Sequence, residues 1–178
     1  MKKLHTTRLI IRPFTTEDIY DFYEYAKQEN VGIHAGWPAH DNIEISKEIL
    51  QTFIDGEEAF AIEYIENKKV IGSIGLHIQK ERAVDCRNLG YVLHPNYWGK
   101  GLATEATLAM LQYAFNEMHL EMVIANHFPY NIQSKRVLEK CGFIYEGCLR
   151  KKYKLFNGQI FDAYSYSITK EEWENYNI

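Results

Sequence analysis

The stretch that most restricts the fold of this chain is Tyr97–Ala106, YWGKGLATEA. It sets Gly99, Lys100 and Gly101 between a strand-like run, CRNLGYVL, and a series of strong helix formers. Glycine closes helices more often than it opens them. Two physical reasons can put a pair of them here. One is a loop that brings bare backbone N–H groups and a helix N-terminus up to an anion. The other is a plain turn between strand and helix. Either way the unit is strand–loop–helix, and the buried-strand run EMVIANHF that follows extends it to strand–helix–strand, which predicts a parallel, right-handed crossover. Gly99 and Gly101 lack a Cβ that would obstruct a ligand, and Lys100 can add charge. The loop is not a Walker loop, and it lacks the dinucleotide fingerprint because Thr104 stands where the third glycine belongs.

The flanking sequence predicts an α/β arrangement around a mostly antiparallel sheet. RLIIRPF reads as a strand ending near Pro13. Thr16 is placed to cap the helix that follows, with Ile19, Phe22, Tyr23 and Ala26 on its apolar face. VGIHAGWPAHDN reads as an irregular loop, and Ile43–Phe53 as a second helix. AFAIEYIE and KVIGSIGLHIQ flank Asn67–Lys68 as a hairpin, and CRNLGYVL follows as the next strand. The helix after Gly101 runs to about Met118, and NIQSKRVLEKCGF is a helix closed by Gly142. Asn157–Gly158 joins two alternating runs as a long hairpin. The count is about six to seven strands and about four helices, with no linker or repeat. One domain over residues 1–178 is expected.

Composition narrows the function classes. The hydrophobic fraction of 46% calls for a packed core. Twenty basic against twenty-four acidic residues, a net charge of −4, argue against a general nucleic-acid binder. Cys86, Cys141 and Cys148 are widely spaced and contain no C-x-x-C pair, which disfavours a disulfide framework or a zinc site and favours a reducing compartment. No apolar run reaches membrane-spanning length. A cytoplasmic protein without metal, membrane or nucleic-acid partner is expected, as monomer or homodimer.

The order LGYVLHPNYWGKGLATEA, a spacer strand, then NIQSKRVLEKCGF resembles the GNAT superfamily of acyl-CoA N-acyltransferases. Its ribosomal-protein (RimJ/RimL-like) branch is the nearest pattern, and the resemblance runs from TTRLIIRPF to DAYSYSI. It implies a GNAT-like fold and acetyl-CoA as cosubstrate. The pyrophosphate would rest on Gly99, Lys100, Gly101, Leu102, Ala103 and Thr104. Trp98 occupies a position where the family usually has Gln or Arg. The backbone of Val92 and Leu93 would pair with the pantetheine arm, an N–H near Val92 polarising the thioester carbonyl that becomes an oxyanion under attack. Asn131 would contact the CoA arm, although capping the helix explains an Asn there as well. Many relatives carry a Tyr where this chain has Leu138, so Ser134, matching a serine of the ribosomal-protein branch, becomes the general-acid candidate; an ordinary first-turn polar residue is the plainer reading.

The base is less defined. Asn88 stands where relatives often have Glu, and Tyr153 where members acting on ribosomal proteins can have Glu. His77 and His127 remain as base candidates, each also explicable as a structural histidine. Trp37, in HAGWPAH, and Tyr153 are acceptor-side candidates, with loop anchoring the alternative for Trp37. Glu105 reads as a favourable first-turn charge, Cys141 as a packed small residue rather than a nucleophile, and Arg150, Lys151, Lys152 and Lys154 as a solvated basic run. The resemblance implies acetyl transfer to a primary amine by direct attack, with a protein N-terminal α-amine first. A small amine such as an amino acid, polyamine or antibiotic, or a non-catalytic acyl-CoA sensor, are the alternatives.

Overall fold

In the computed structural model, which describes residues 2–56, 58–80 and 82–176, the apolar runs become eight strands: β1 (Leu4–His5), β2 (Leu9–Pro13), β3 (Ala59–Tyr64), β4 (Lys69–Gln79), β5 (Cys86–Leu93), β6 (Met122–His127), β7 (Ile144–Lys154) and β8 (Ile160–Thr169). Six helices accompany them: α1 (Ile19–Ala26), α2 (Glu29–Ala35), α3 (Ile43–Gly56), α4 (Leu102–Asn116), α5 (Ile132–Lys140) and α6 (Lys170–Tyr176). The strands hydrogen-bond in the order β1-β2-β3-β4-β5-β6-β8-β7. β5 and β6 pair in parallel, as the crossover through α4 predicts. The pairs β1–β2, β2–β3, β3–β4, β6–β8 and β7–β8 are antiparallel. The expected mixed, mostly antiparallel α/β sheet is what forms.

Three elements were not expected. β1 is only two residues long. The segment read as an irregular loop contains α2, which stops at Gly36 in the left-handed region, φ 90°, a C-terminal glycine doing what glycine does at helix ends. α6 is opened by a reciprocal pair: the Thr169 N–H donates to Glu172 Oε2 at 2.8 Å and the Glu172 N–H to Thr169 Oγ1 at 3.2 Å, the capping-box arrangement. The cap before α1 also shifts. Thr15, not Thr16, forms the box, with Asp18, and Thr16–Asp18 is a 3-10 turn ahead of α1.

The chain divides into two compact units. The first comprises Met1–Gly75 and Tyr91–Ala109. Its core gathers Phe14, Phe22, Tyr25, Val31 and Leu50 around aromatic edge contacts, Phe14–Phe22 at 5.7 Å and Phe22–Phe53 at 5.7 Å. Beside this core Arg12 holds Asp18 through two 2.8 Å hydrogen bonds and Glu63 through one of 2.7 Å. Burial opposes ionisation of the enclosed Asp18 carboxyl, but the Arg12 and Thr15 donors outweigh it and keep its pKa below the ordinary value. β4 and β5 approach closely at Gly72, where a Cβ would stand 2.1 Å from the Val92 carbonyl oxygen and 2.9 Å from Leu93 Cα.

The second unit comprises Leu76–Gly90 and Met110–Ile178. Met110, Leu111, Phe115, Val123, Leu138 and Ile168 are its buried apolar centre, with Trp173 of α6 stacked on Phe115 at 6.0 Å. β7 lies at the end of the strand order and is exposed along nearly its whole length. Register shifts at Tyr145/Gly147 and Leu149/Tyr153, left-handed Lys151 (φ 54°) and the exposed Arg150, Lys151, Lys152 and Lys154 make it a poor template for edge pairing. The basic run is thus a solvated one.

Candidate active site

The loop between β5 and α4 is shaped by its two glycines. Gly99 has φ 72° and Gly101 φ 77°, so both occupy the left-handed region where a Cβ is strained. Space is not the constraint: a Cβ on Gly99 would meet nothing within 4 Å, and one on Gly101 only Arg8 Nη2 at 3.7 Å. The glycines are there for backbone shape. That shape delivers the chain to Leu102, where α4 begins, and the first bond closing the helix runs from the Glu105 N–H to the Gly101 carbonyl at 3.0 Å. The N–H groups earlier in the first turn have no acceptor within the helix, and the helix dipole makes this end favourable to negative charge. Lys100 is exposed, with its ammonium 5.3 Å from the Tyr97 ring centre.

The same unit anchors both ends of the loop. Trp98 Nε1 donates to the Leu93 carbonyl at 2.7 Å, joining the start of the loop to the last residue of β5. The Trp98 ring packs beside the first-unit core together with Val92 and Trp37 and meets the His34 ring edge-on at 6.0 Å. So the Trp in place of Gln or Arg still offers one donor, spent on the fold. Val92 and Leu93 are joined to β4 by the close approach at Gly72. Trp37 is half-buried, with its ring 5.3 Å from His40, and its carbonyl oxygen would lie 2.5 Å from a Cβ on Gly32. Those contacts are those of a loop anchor. His40 is itself buried, Nδ1 2.7 Å from Ser46 Oγ.

In the second unit, α5 begins at Ile132 and Asn131 caps it: Asn131 Oδ1 accepts from the Ser134 N–H at 3.1 Å. That leaves the Asn131 amide N–H₂ and the Ser134 side chain outside this bond. Leu138 is 1% exposed and belongs to the core, so this position supplies no proton. His127, at the end of β6, is 4% exposed. Its Nδ1 lies 2.8 Å from the Phe128 carbonyl, an oxygen that only accepts, so Nδ1 carries the proton. Nε2 is buried and accepts no hydrogen bond among the described residues. Burial pushes the His127 pKa below the ordinary histidine value, so the ring is a neutral imidazole with a lone pair on Nε2. His77 differs, being exposed on β4 with Nε2 3.9 Å from where a Gly90 Cβ would stand.

Tyr153 meets Phe128 edge-on at 5.5 Å. Phe128 also stacks on Tyr130 at 5.3 Å and touches Phe161 at 5.8 Å. Phe128 and Tyr130, on the short connection from His127 to Asn131, thus pack with Tyr153 and Phe161. Sequence reasoning singled out Tyr153 but not Phe128, Tyr130 or Phe161, whose meeting with it depends on the β6–β8 and β7–β8 pairings. It also missed Asn126. Asn88 pairs in register with Ile124, so Asn88 and Asn126 project from the same face of adjacent strands. The side-chain oxygen of each is buried and accepts no hydrogen bond among the described residues. Glu146 is no free base: Arg82 and Ser165 hold its carboxylate, and although burial acts the other way, the Arg82 and serine donors keep its pKa below the ordinary value. Cys141 is fully buried, and burial pushes its thiol up to about 12, which rules it out as a nucleophile at neutral pH. Among the described residues there is no cluster of His, Cys, Asp and Glu able to hold a metal, and no helix long and apolar enough to cross a membrane.

A strand, a left-handed glycine loop, a helix and a parallel strand frame the candidate site. Residues 8–144 match the acetyltransferase (GNAT) domain family, and the chain belongs to it. It is 34% identical to the N-acetyltransferase YnaD of Bacillus subtilis over 94% of this chain and 97% of that one. It is 26% identical to the [ribosomal protein uS5]-alanine N-acetyltransferase of Escherichia coli over 96% and 92%. Its structure superposes on the microcin C7 self-immunity acetyltransferase MccE, solved with acetyl-CoA and AMP, at TM-score 0.81 and 26% identity, over 92% and 93%. The chain is an acetyl-CoA-dependent N-acetyltransferase.

Proposed function

We propose that the enzyme acetylates a protein N-terminal α-amine, acting as a single acyltransferase domain. The observation that carries the choice of acceptor is the similarity to the uS5-alanine enzyme along nearly the full length of both chains. In this reading Gly99–Thr104 hold the CoA pyrophosphate on the α4 N-terminus, with Gly99 and Gly101 setting the backbone shape. The main chain of Val92 and Leu93 lines the pantetheine arm and stabilises the oxyanion. The Asn131 amide N–H₂ contacts the arm while its oxygen caps α5, and Ser134 protonates the leaving thiolate. His127 and His77 are the base candidates; the His127 ring is neutral and its buried Nε2 accepts no hydrogen bond among the described residues. The buried oxygens of Asn88 and Asn126 are acceptors suited to an amine's N–H groups. Tyr153 stands on the acceptor side. Three free cysteines fit a reducing cytoplasmic setting.

The test is thiol release from acetyl-CoA across a panel of amines. Peptides with a free N-terminus are expected to drive release, and the same peptides blocked at the N-terminus are not. Release with amino acids, polyamines or aminoglycosides but not with peptides would move the acceptor to small amines. Acetyl-CoA binding without release in any case would make the protein a sensor.

A further inference from the structure

Glu105 presents a difficulty for an anion-binding loop. It lies in the first turn of α4, where its own charge competes with a bound pyrophosphate for the same helix end. The structure answers this with Arg8 and Thr6. Glu105 Oε1 accepts from Thr6 Oγ1 at 2.6 Å and from the Arg8 N–H at 2.8 Å; Oε2 accepts from Arg8 Nε at 2.7 Å and faces Nη2 at 2.7 Å. The remaining arm of the same guanidinium, Nη1, donates to the Lys100 carbonyl at 2.9 Å. Nη2 lies 3.7 Å from where a Gly101 Cβ would be.

We infer that Arg8 is a positioning residue for CoA binding: one guanidinium both neutralises Glu105 and holds the Lys100 carbonyl, fixing the peptide between the two left-handed glycines. The inference rests on the reading of Gly99–Thr104 as the pyrophosphate loop. Two consequences follow from the geometry. Pulling on the Lys100 carbonyl orients the Lys100–Gly101 peptide, so the Gly101 N–H points away from Arg8. Engaging both Glu105 oxygens removes the repulsion a free carboxylate would offer a phosphate. A planar fork is required, because a lysine ammonium is a point donor on a flexible stem and cannot match the paired bonds to Glu105 while reaching Lys100.

The experiment compares dissociation constants for CoA and for pantetheine, which lacks the pyrophosphate, by calorimetric titration of the wild type, Arg8→Gln and Arg8→Lys. No acceptor is needed. Both variants are expected to weaken CoA binding about tenfold or more, with pantetheine affinity within about twofold of the wild type. Arg8→Lys keeps the charge and serves if Arg8→Gln does not fold. CoA binding at wild-type strength in Arg8→Lys overturns the positioning role, and so does an equal loss for CoA and pantetheine. A wild type that binds CoA no better than pantetheine would instead overturn the reading of the loop itself.

Discussion

At the scale of single residues, Ser134 and Asn131 separate cleanly. The cap bond uses the Ser134 backbone N–H and the Asn131 side chain, so Ser134→Ala removes a hydroxyl and leaves the cap in place. If the hydroxyl protonates the thiolate, kcat falls by about a hundredfold while the KM for acetyl-CoA stays within about twofold. Steady-state kinetics with a saturating amine would show it, and an unchanged kcat, or a matching loss of acetyl-CoA affinity, removes Ser134 from that role. Asn131 shows where the sequence stopped short. Its residue type fits both a cap and a CoA contact; the structure shows the cap.

Among elements, the join of β4 to β5 tolerates little change at Gly72. Gly72→Ala places a Cβ 2.1 Å from the Val92 carbonyl and 2.9 Å from Leu93 Cα, both backbone atoms, so relief requires the strands to part. A loss of at least about 2 kcal/mol is expected in urea unfolding. Gly56→Ala, at the end of α3 with nothing within 4 Å, should change stability by less than about 1 kcal/mol. Comparable midpoints for the two variants would refute the close approach. Nothing in the string KVIGSIGLHIQ distinguishes Gly72 from Gly75, since the need for a bare Cα arises from a neighbouring strand. The missed helices fail for another reason. Thr169 and Glu172 spell a capping box and Gly36 a helix stop, so α6 and α2 were legible from local signals. They are seven residues each, short enough that periodicity says little.

For the molecule as a whole, buried histidines contribute to the dependence of stability on pH. Burial lowers the pKa of His40 and of His127 below the ordinary value of 6.5. The folded chain therefore takes up protons at these rings less readily than the unfolded chain. Below about pH 6.5 the unfolded state binds more protons, so stability is full above that pH and declines as pH falls through it. The melting temperature should drop between pH 7.5 and 5.5, and the double variant His40→Gln/His127→Gln should flatten that slope; an undiminished slope would show that these rings do not carry it. The strand–loop–helix–strand unit, the antiparallel hairpins and the glycine pair were all determined by the sequence alone, because each depends on residues close together along the chain. Periodicity, turn chemistry and a positive φ are local demands. Tertiary structure alone decided the rest. It put Arg8 against Glu105 across 97 positions of sequence, enclosed His127 so that it is neutral, and packed Phe128, Tyr130, Tyr153 and Phe161 together. Charge neutralisation, burial and ring packing depend on distance in space, and chain order does not record that distance.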